Sequence, residues 1–294
     1  MSDVSVSLPT TASRRAQTSG SMHSSARWWV LAAVSLALIL FLFPFILAFT
    51  NAIKTADDYN AYGPLGIPHS FDLSALRDFW NNVDFTQKLI NSVIISAATA
   101  VFGVLLSLLN AYAIGIGRIK GGKKMLVLLL IGIMIPQESL AYPIYYLSKS
   151  VGLFDTIWSV IIVFSVLQSA FGTYLLSAVL TAFPREVIEA AEMDGATPWK
   201  ILWTIVVPML MPTLAVLATF FFIWTWNEFL LPLILLASND NQTVSVSMGV
   251  LNGQFVQTPT TTAAAALLGI APTLLFFLIF QRTLTRGIAV GAVK

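Results

Sequence analysis

The chain contains no cysteine, and only two of its 294 residues are histidine. Without cysteine, disulfide bonds and thiolate metal sites are excluded. His23 lies in a Ser/Thr-rich N-terminal segment and His69 in a loop between apolar runs, and neither belongs to a cluster with metal-ligand spacing. The residues of a hydrolytic Ser-His-Asp set cannot be assembled convincingly either, so an enzyme is disfavoured.

Charge is also scarce. Charged residues make up 10% of the chain, against about 25% in ordinary soluble domains. Hydrophobic residues make up 57%, and the mean hydropathy is +0.81. This composition is typical of an integral membrane protein that sits in a lipid bilayer. The net charge of +2 is too small to suggest a nucleic-acid partner.

Six apolar runs have the length of a membrane-spanning helix, which takes about 17–25 residues. We therefore predict an all-α, polytopic membrane protein with six transmembrane helices. The first run is longer than the apolar core of a signal peptide, which favours a retained span. Residues 1–26 are predicted to form a disordered tail, 27–282 the transmembrane domain and 283–294 a C-terminal tail. The predicted spans are Trp28–Thr50, Leu89–Ile116, Met125–Leu147, Ile157–Ala182, Thr213–Leu236 and Ala263–Gln281.

The basic residues orient these spans, because Lys and Arg concentrate on the cytoplasmic side. With the N-terminus inside, four basic residues fall outside: Lys54, Arg77, Lys88 and Lys149. The other twelve of the sixteen fall inside, so we expect both termini to be cytoplasmic. These twelve are Arg14, Arg15, Arg27, Arg118, Lys120, Lys123, Lys124, Arg185, Lys200, Arg282, Arg286 and Lys294.

A charged, helix-forming segment, residues 184–208, interrupts the apolar runs, and we call it the island. Pro184 suits the first position of a helix, and Glu186 follows in the first turn, where the helix dipole favours negative charge. Asp194-Gly195 gives a helix stop. Thr197-Pro198 is typical of an N-cap followed by a proline at N1. The island is therefore predicted to be a helix, a bend and a second helix that enters the next span, on the cytoplasmic side.

The island resembles the EAA loop of ABC importer permeases. The matching residues are Glu189-Ala190-Ala191, then Gly195, then Ile205-x-Val207-Pro208. Val207 stands where the family usually has leucine, and Glu192 where it often has arginine. The stretches Met134-Ile-Pro136, Gly152-Leu-Phe-Asp155-Thr156 and Trp226-Asn227-Glu228-Phe229 are similar to the maltose-type, carbohydrate-uptake branch, as is the C-terminal tail.

This resemblance implies a permease subunit of a bacterial or archaeal inner membrane, with a coupling helix in its EAA loop. The expected partners are a second permease, two ATP-binding subunits and an extracytoplasmic sugar-binding protein. The expected ATPase-coupling residues are Glu189, Ala190, Ala191, Asp194, Gly195 and Pro208.

The turn from Gly117 to Lys124 nearly matches a phosphate-binding loop. However, Lys124 replaces the Ser or Thr that would bind magnesium, and no buried strand precedes the turn. We therefore expect no cofactor or metal in this chain, with ATP and Mg used by the partner ATPase subunits.

Polar residues inside predicted spans are the candidates for the pathway, since charge in a bilayer usually faces a cavity or a partner. Hydrogen bonding between packed helices is the plainer explanation. The candidates are Asn227, Glu228, Trp224, Gln137, Glu138 and Tyr142, with Asn91 and Asn110 as weaker ones.

Two alternatives stay open at this stage. A self-sufficient secondary transporter or channel would need coupling-ion sites in one chain, and Glu138 and Glu228 are available for that role. An enzyme or a purely structural membrane partner is the other alternative. The aromatic residues alone do not establish a sugar substrate, because Trp and Tyr also gather at membrane interfaces.

Overall fold

A computed structural model describes the backbone of residues 24–117, 119–254 and 258–292, and the side chains of these residues except 24–26, 250–254 and 282–292. Most of the predicted tail 1–26, Arg118 and the last two residues therefore lie outside the described residues. The described residues form thirteen α-helices, one π-helical turn and two 3-10 turns, without any β-strand. The all-α prediction is confirmed.

The helices follow one another with short connections. They are α1 (Ser24–Ala52), α2 (Ala56–Tyr62), α3 (Ser74–Asn82), α4 (Phe85–Gly115), α5 (Gly122–Met134), α6 (Ala141–Ser150), α7 (Ile157–Thr181), α8 (Arg185–Met193), α9 (Pro198–Ile201), α10 (Val207–Asn227), α11 (Leu230–Leu235), α12 (Val244–Gln254) and α13 (Pro259–Ala292). Two compact units divide the chain between Ile46 and Leu47. The first contains α1 up to Ile46, and the second contains everything after it.

Five helical stretches of the described chain are long and apolar enough to cross a membrane. They are Arg27–Ala52, Phe85–Gly115, Ile157–Thr181, Pro198–Asn227 and Pro259–Gln281. A sixth crossing requires α5 and the stretch Gln137–Ser150 to act as one span. The prediction of several apolar spans is confirmed, and five or six is the number that the described residues support.

The third predicted span, Met125–Leu147, is not one continuous helix. Gly122–Met134 and Gln137–Ser150 are bent by 92° at a short break. The break falls at Ile135 and Pro136, both in extended conformation. A residue before proline avoids the helical region, and proline cannot donate a helical hydrogen bond, so the helix ends here.

The fifth predicted span, Thr213–Leu236, has different bounds. Its helix begins at Pro198 within the island and ends at Asn227, followed by the separate short helix α11. One π-helical turn, Leu202–Val206, widens the helix just before Pro208. Proline at 208 cannot donate to the carbonyl of Thr204, and its ring crowds that carbonyl, which explains the widened turn.

The core of the second unit is built by α4, α7 and α10. Helices α4 and α7 run parallel, as the contacts of Ser107 with Ser169 and of Asn110 with Thr173 show. Glycine permits their close approach: a Cβ on Gly172 would lie 2.1 Å from Ser107 Oγ and 2.9 Å from Phe221 Cζ of α10. Small residues at such contacts are what allows apolar helices to associate in lipid.

Candidate functional site

The island folds as a helix, a bend and a second helix, as predicted. Pro184 is the N-cap of α8, one position before its predicted place, and the helix starts at Arg185. Glu186 lies in the first turn, where its charge meets the positive end of the helix dipole. Asp194 is the C-cap, and Gly195 follows with φ +75°, a left-handed conformation that glycine adopts without strain.

The second helix of the island starts immediately after this bend. The Ala196 N–H donates to the Ala191 carbonyl at 3.0 Å, which closes the turn. Thr197 caps the next helix, because its hydroxyl accepts from the Lys200 N–H, and Pro198 occupies the first helical turn. From Pro198 the helix continues through the π turn into α10. A short connection with these hydrogen bonds therefore joins α8 to a helix long and apolar enough to span a membrane.

Helix α8 has one face in the core and one face open. Ala191 is buried, and Ile188 packs against the same hydrophobic core, which also contains Leu202. Glu189 and Ala190 are exposed, so of the two alanines Ala190 is the one available to another molecule. Pro208, the last of the predicted coupling residues, is exposed in the first turn of α10.

A cavity of about 260 Å³ separates the island from the adjoining ends of α4 and α7. Glu189 and Glu192 are its two carboxylates, and Arg185 is the basic side chain in its wall. The remaining lining residues are Thr181, which carries a hydroxyl group, and Gly115, Ile116, Gly117, Leu180, Phe183 and Ile188. Beside the cavity, the Tyr112 hydroxyl donates to the Pro198 carbonyl at 2.8 Å and ties α4 to the start of α9.

Two of the predicted pathway residues, Glu138 and Glu228, lie at helix breaks. Glu228 follows the end of α10, and backbone amides at the start of α11 interact with its carboxylate. Glu138 lies in the 3-10 turn of the broken third span. Each carboxylate is thus placed at a break in the helices of its own span.

The other predicted pathway residues occupy different surroundings. Gln137 and Asn227 are exposed, and the Asn227 side chain donates to the Ile223 carbonyl of its own helix. Tyr142 is 71% exposed, and its ring centroid is 4.6 Å from that of Tyr146. Trp224 is half-exposed and packs on Phe171, with ring centroids 5.2 Å apart. Among the described ring contacts, none joins Trp224 to Tyr142 or to Tyr146.

At the opposite end of α4 the structure shows a group that sequence reasoning missed. Lys88 is fully buried and donates to the Asn239 carbonyl, and Asn91 donates to the carbonyls of Asp240 (2.6 Å) and Gln242 (3.1 Å). Asn91 was expected only as a weak pathway candidate. The available signal was the spacing of 88, 91 and 92, which places polar groups on one face of an apolar helix.

Asp155 is the second missed residue, in the connection between α6 and α7. Its carboxylate accepts from the Ser238 N–H at 2.8 Å, and from the Ser238 hydroxyl. Burial raises the pKa of this carboxyl, but the hydrogen bonds from Ser238 and Asn241 outweigh it, so the pKa lies below its ordinary value. Asp155 is therefore a charged acceptor that joins two distant segments of the chain.

Comparison with known proteins identifies a family of membrane transport components and similar sugar permeases. Residues 119–290 match the family described as the binding-protein-dependent transport system inner membrane component. The trehalose transport system permease protein SugB of Mycobacterium tuberculosis (strain CDC 1551 / Oshkosh) is 33% identical over 230 residues, 78% of this chain and 84% of that protein. The lactose transport system permease protein LacG of Rhizobium radiobacter is 30% identical over 261 residues, 89% and 94% of the two chains.

The fold also has a solved counterpart. A chain of a bacterial ABC transporter involved in the import of the acidic polysaccharide alginate superposes with a TM-score of 0.73 and 22% identity. The superposition covers 89% of this chain and 98% of that one. The family match spans more than half of this chain and includes the island, the broken third span and the end of α10. The chain therefore belongs to the family of binding-protein-dependent transport system inner membrane components.

Proposed function

We propose that this chain is one of two permease subunits of an ABC importer for a sugar or oligosaccharide. An extracytoplasmic sugar-binding protein delivers the substrate, and two separate cytoplasmic ATPase subunits drive transport. The observation that carries the proposal is α8, a short helix with a charged open face that continues through one bend into a membrane span. Relatives whose names specify trehalose, lactose and arabinooligosaccharides support the sugar assignment.

The island is the proposed docking element for an ATPase subunit. The distribution of basic residues supports a cytoplasmic position for the island and both termini, on the side where ATP is available. Glu189 makes the polar contact with the ATPase, and Ala190 allows its surface to approach. Ala191 anchors α8 to the core, Asp194 and Gly195 set the bend, and Pro208 marks the point where the movement enters α10.

ATP and Mg belong to the partner subunits in this proposal. The segment 117–124, which nearly matches a phosphate-binding loop, connects α4 directly to α5. Gly121 has φ +90° and precedes the first residue of α5. This is a helix-to-helix turn, whereas a phosphate-binding loop follows a strand.

The proposed pathway surface contains Glu228, Asn227 and Trp224 from one span. Gln137, Glu138 and Tyr142 from the break in another span complete it. Polar and aromatic groups at helix breaks suit a sugar, since hydroxyl groups hydrogen-bond to amides and carboxylates while ring C–H groups stack on aromatic faces. Backbone freed at a break is tolerated at membrane depth only where protein or a water-filled cavity satisfies it.

The test is reconstitution in vesicles with components omitted one at a time. The complete set contains this chain, its partner permease, both ATPase subunits and the binding protein, with radiolabelled trehalose and lactose as probes. We expect uptake only from the complete set with ATP and Mg. ATP-dependent accumulation without the ATPase subunits would contradict the proposal, and so would uptake of neither sugar by any combination when the binding protein is shown to bind one of them.

A secondary transporter is the second candidate, and the positions of Glu138 and Glu228 at helix breaks favour it. Carboxylates inside a membrane are typical of sites that bind and release a coupling ion. Vesicles that contain this chain alone, with an imposed proton or sodium gradient, distinguish the two. Gradient-driven uptake by the single chain supports the secondary transporter, and its absence together with uptake by the complete set supports the importer.

A further inference from the structure

The segment 237–244, between α11 and α12, is held in place by side chains of other elements. Its own 3-10 turn supplies only the bonds from Asn241 N–H to Ser238 O (3.1 Å) and from Gln242 N–H to Asn239 O (3.2 Å). The side chains of Ala237 to Asp240 are exposed, whereas Thr243 and Val244 are buried. A segment with so little internal bonding owes its position to whatever holds it from outside.

Asp155 is hydrogen-bonded to Ser238 and Asn241 of this segment. Besides the bonds of its carboxylate with Ser238, its carbonyl accepts from the Asn241 side-chain amide at 2.6 Å. Its own N–H donates to the Leu235 carbonyl at 2.9 Å. Asp155 has φ +60°, a left-handed conformation that costs a residue with a side chain about 1 kcal/mol or more. The Asn241 amide also donates to the Asp155 carboxylate at 3.4 Å, so this strained residue forms five hydrogen bonds.

Helix α4 holds Asn239, Asp240, Gln242 and Val244 of the same segment. Lys88, with no exposed surface, directs its ammonium group at the Asn239 carbonyl. Asn91 bridges the carbonyls of Asp240 and Gln242, and the Ser92 hydroxyl accepts from the Val244 N–H at 2.9 Å. Burial of an ammonium group is costly unless it is well bonded. A connecting loop with no other role does not require a buried ammonium group. We therefore take the fixed position of this segment as functionally relevant.

The segment 237–244 connects to the helix that adjoins Glu228 and also carries an exposed surface. It directly follows α11, whose start adjoins Glu228, and α11 packs against α6 of the broken third span. It also presents the exposed residues Ser238, Asn239 and Asp240 at the end of the molecule opposite the island. The segment therefore connects an exposed surface to α11, and its bonds to α4 and Asp155 hold it in this position.

We propose that Asp155 and Lys88 are positioning residues, which clamp the segment 237–244 so that docking of the binding protein on its exposed face is transmitted to the pathway. This inference rests on the proposed function, because it assigns the outer end of the chain to the binding protein. Neither residue touches the sugar. The clamp acts by holding the docking surface in one conformation before the partner arrives, which lowers the entropy lost on binding.

Three substitutions at position 155 separate the hydrogen bonds from the strain. Asp155→Gly removes the strain and the side-chain bonds, Asp155→Ala removes the bonds and keeps the strain, and Asp155→Asn keeps an acceptor in a residue that tolerates this conformation. In the complete reconstituted complex we expect the glycine and alanine variants to raise the half-saturating concentration of binding protein for ATPase stimulation by roughly tenfold. The asparagine variant should stay within about threefold of the parent, with basal ATPase unchanged in all three.

A second readout does not depend on transport. Hydrogen–deuterium exchange of the purified complex should show faster exchange of the Ser238 and Val244 amides in Asp155→Gly and in Lys88→Met, with the core of α7 unchanged. Unchanged exchange in both variants would refute the clamp, whatever the complex transports. A decrease in basal ATPase activity and in maximal rate as large as the increase in the half-saturating concentration would also refute it. Such a result indicates a merely structural role. Failure of the parent complex to respond to binding protein refutes the proposed function instead.

Discussion

At the scale of single residues, glycine sets how closely α4, α7 and α10 approach. Gly103 and Gly172 both face the Phe221 ring, and a Cβ on Gly103 would lie 2.9 Å from Phe221 Cδ2. Around them, buried serines donate within the helices, as Ser107 does to the Gly103 carbonyl at 2.6 Å. The contact therefore depends on the absence of side-chain volume, which hydropathy alone does not reveal.

Two Gly→Ala substitutions should consequently have opposite effects. At Gly172 the new methyl group would collide with Ser107 and Phe221, and we expect destabilisation of about 1–3 kcal/mol. At Gly132, which has open space around it on α5, alanine should stabilise the helix by about 0.5–1 kcal/mol. Denaturant unfolding of the detergent-purified chain measures both. Equal effects at the two positions would contradict the packing described for α4 and α7.

At the scale of secondary structure, the tether between Tyr112 and Pro198 joins the island to α4. Loss of this bond removes the described hydrogen bond between α4 and the start of α9, while Ala191 and Ile188 still hold α8 in the hydrophobic core. The hydroxyl–carbonyl bond is worth about 1 kcal/mol. Its effect is expected on the transmission of movement more than on stability.

Tyr112→Phe should therefore lower the amount of sugar transported per ATP hydrolysed several-fold, while the complex still assembles. Tyr174→Phe, at an exposed tyrosine of α7, makes the same chemical change away from the island and serves as the control. Uptake and phosphate release measured on the same vesicles give the ratio. A ratio unchanged in Tyr112→Phe, or lowered equally in the control, would show that the tether does not transmit movement.

The helices of the island were predictable because their signals are local. Pro184, Asp194-Gly195 and Thr197-Pro198 each act on the residues beside them. The break at Pro136 had a local signal too, but a proline does not specify whether a helix kinks or turns by 92°. That angle depends on the packing of α6 against α11, residues far apart in the sequence. Hydrophobic periodicity, which reports only on neighbouring residues, therefore does not predict the angle.

The candidate site divides in the same way. Glu189 and Ala190 are exposed on α8, which spacing along a helix can indicate, and their role in coupling stays a prediction. The clamp was missed because Lys88 and Asp155 act on carbonyl and amide groups more than 80 residues away in the chain. Backbone partners leave no mark in a sequence, and a lysine at the start of a span is the expected residue at a membrane surface.

At the scale of the whole molecule, the chain exposes polar groups that a bilayer does not accept. Gln137, Glu138 and Asn227 are all exposed in the described structure, and charge facing lipid is costly. A second permease that covers this surface removes the cost and completes a pathway between the two subunits. The exposed carboxylate and amides are therefore consistent with a partner chain that covers this surface or with a water-filled cavity.

The absence of native cysteine makes this surface directly testable. In the complete complex, Tyr142→Cys should react with a small hydrophilic thiol reagent, and added substrate should slow the reaction. Val101→Cys, at a position of 56% exposure on α4, should react slowly because lipid covers it. Slow labelling of Tyr142→Cys, or equal labelling of the two positions, would place Tyr142 outside the pathway.

The central claim is that the island couples this chain to an ATPase, and charge reversal tests it most directly. Glu189→Lys is compared with Glu186→Lys, the same change on the same helix but outside the cavity wall. Sugar transported per ATP is measured in vesicles that contain the complete complex. We predict a ratio at least tenfold below the parent for Glu189→Lys, or release of the ATPase subunits, and a ratio near the parent for Glu186→Lys. A parental ratio in Glu189→Lys would contradict the account.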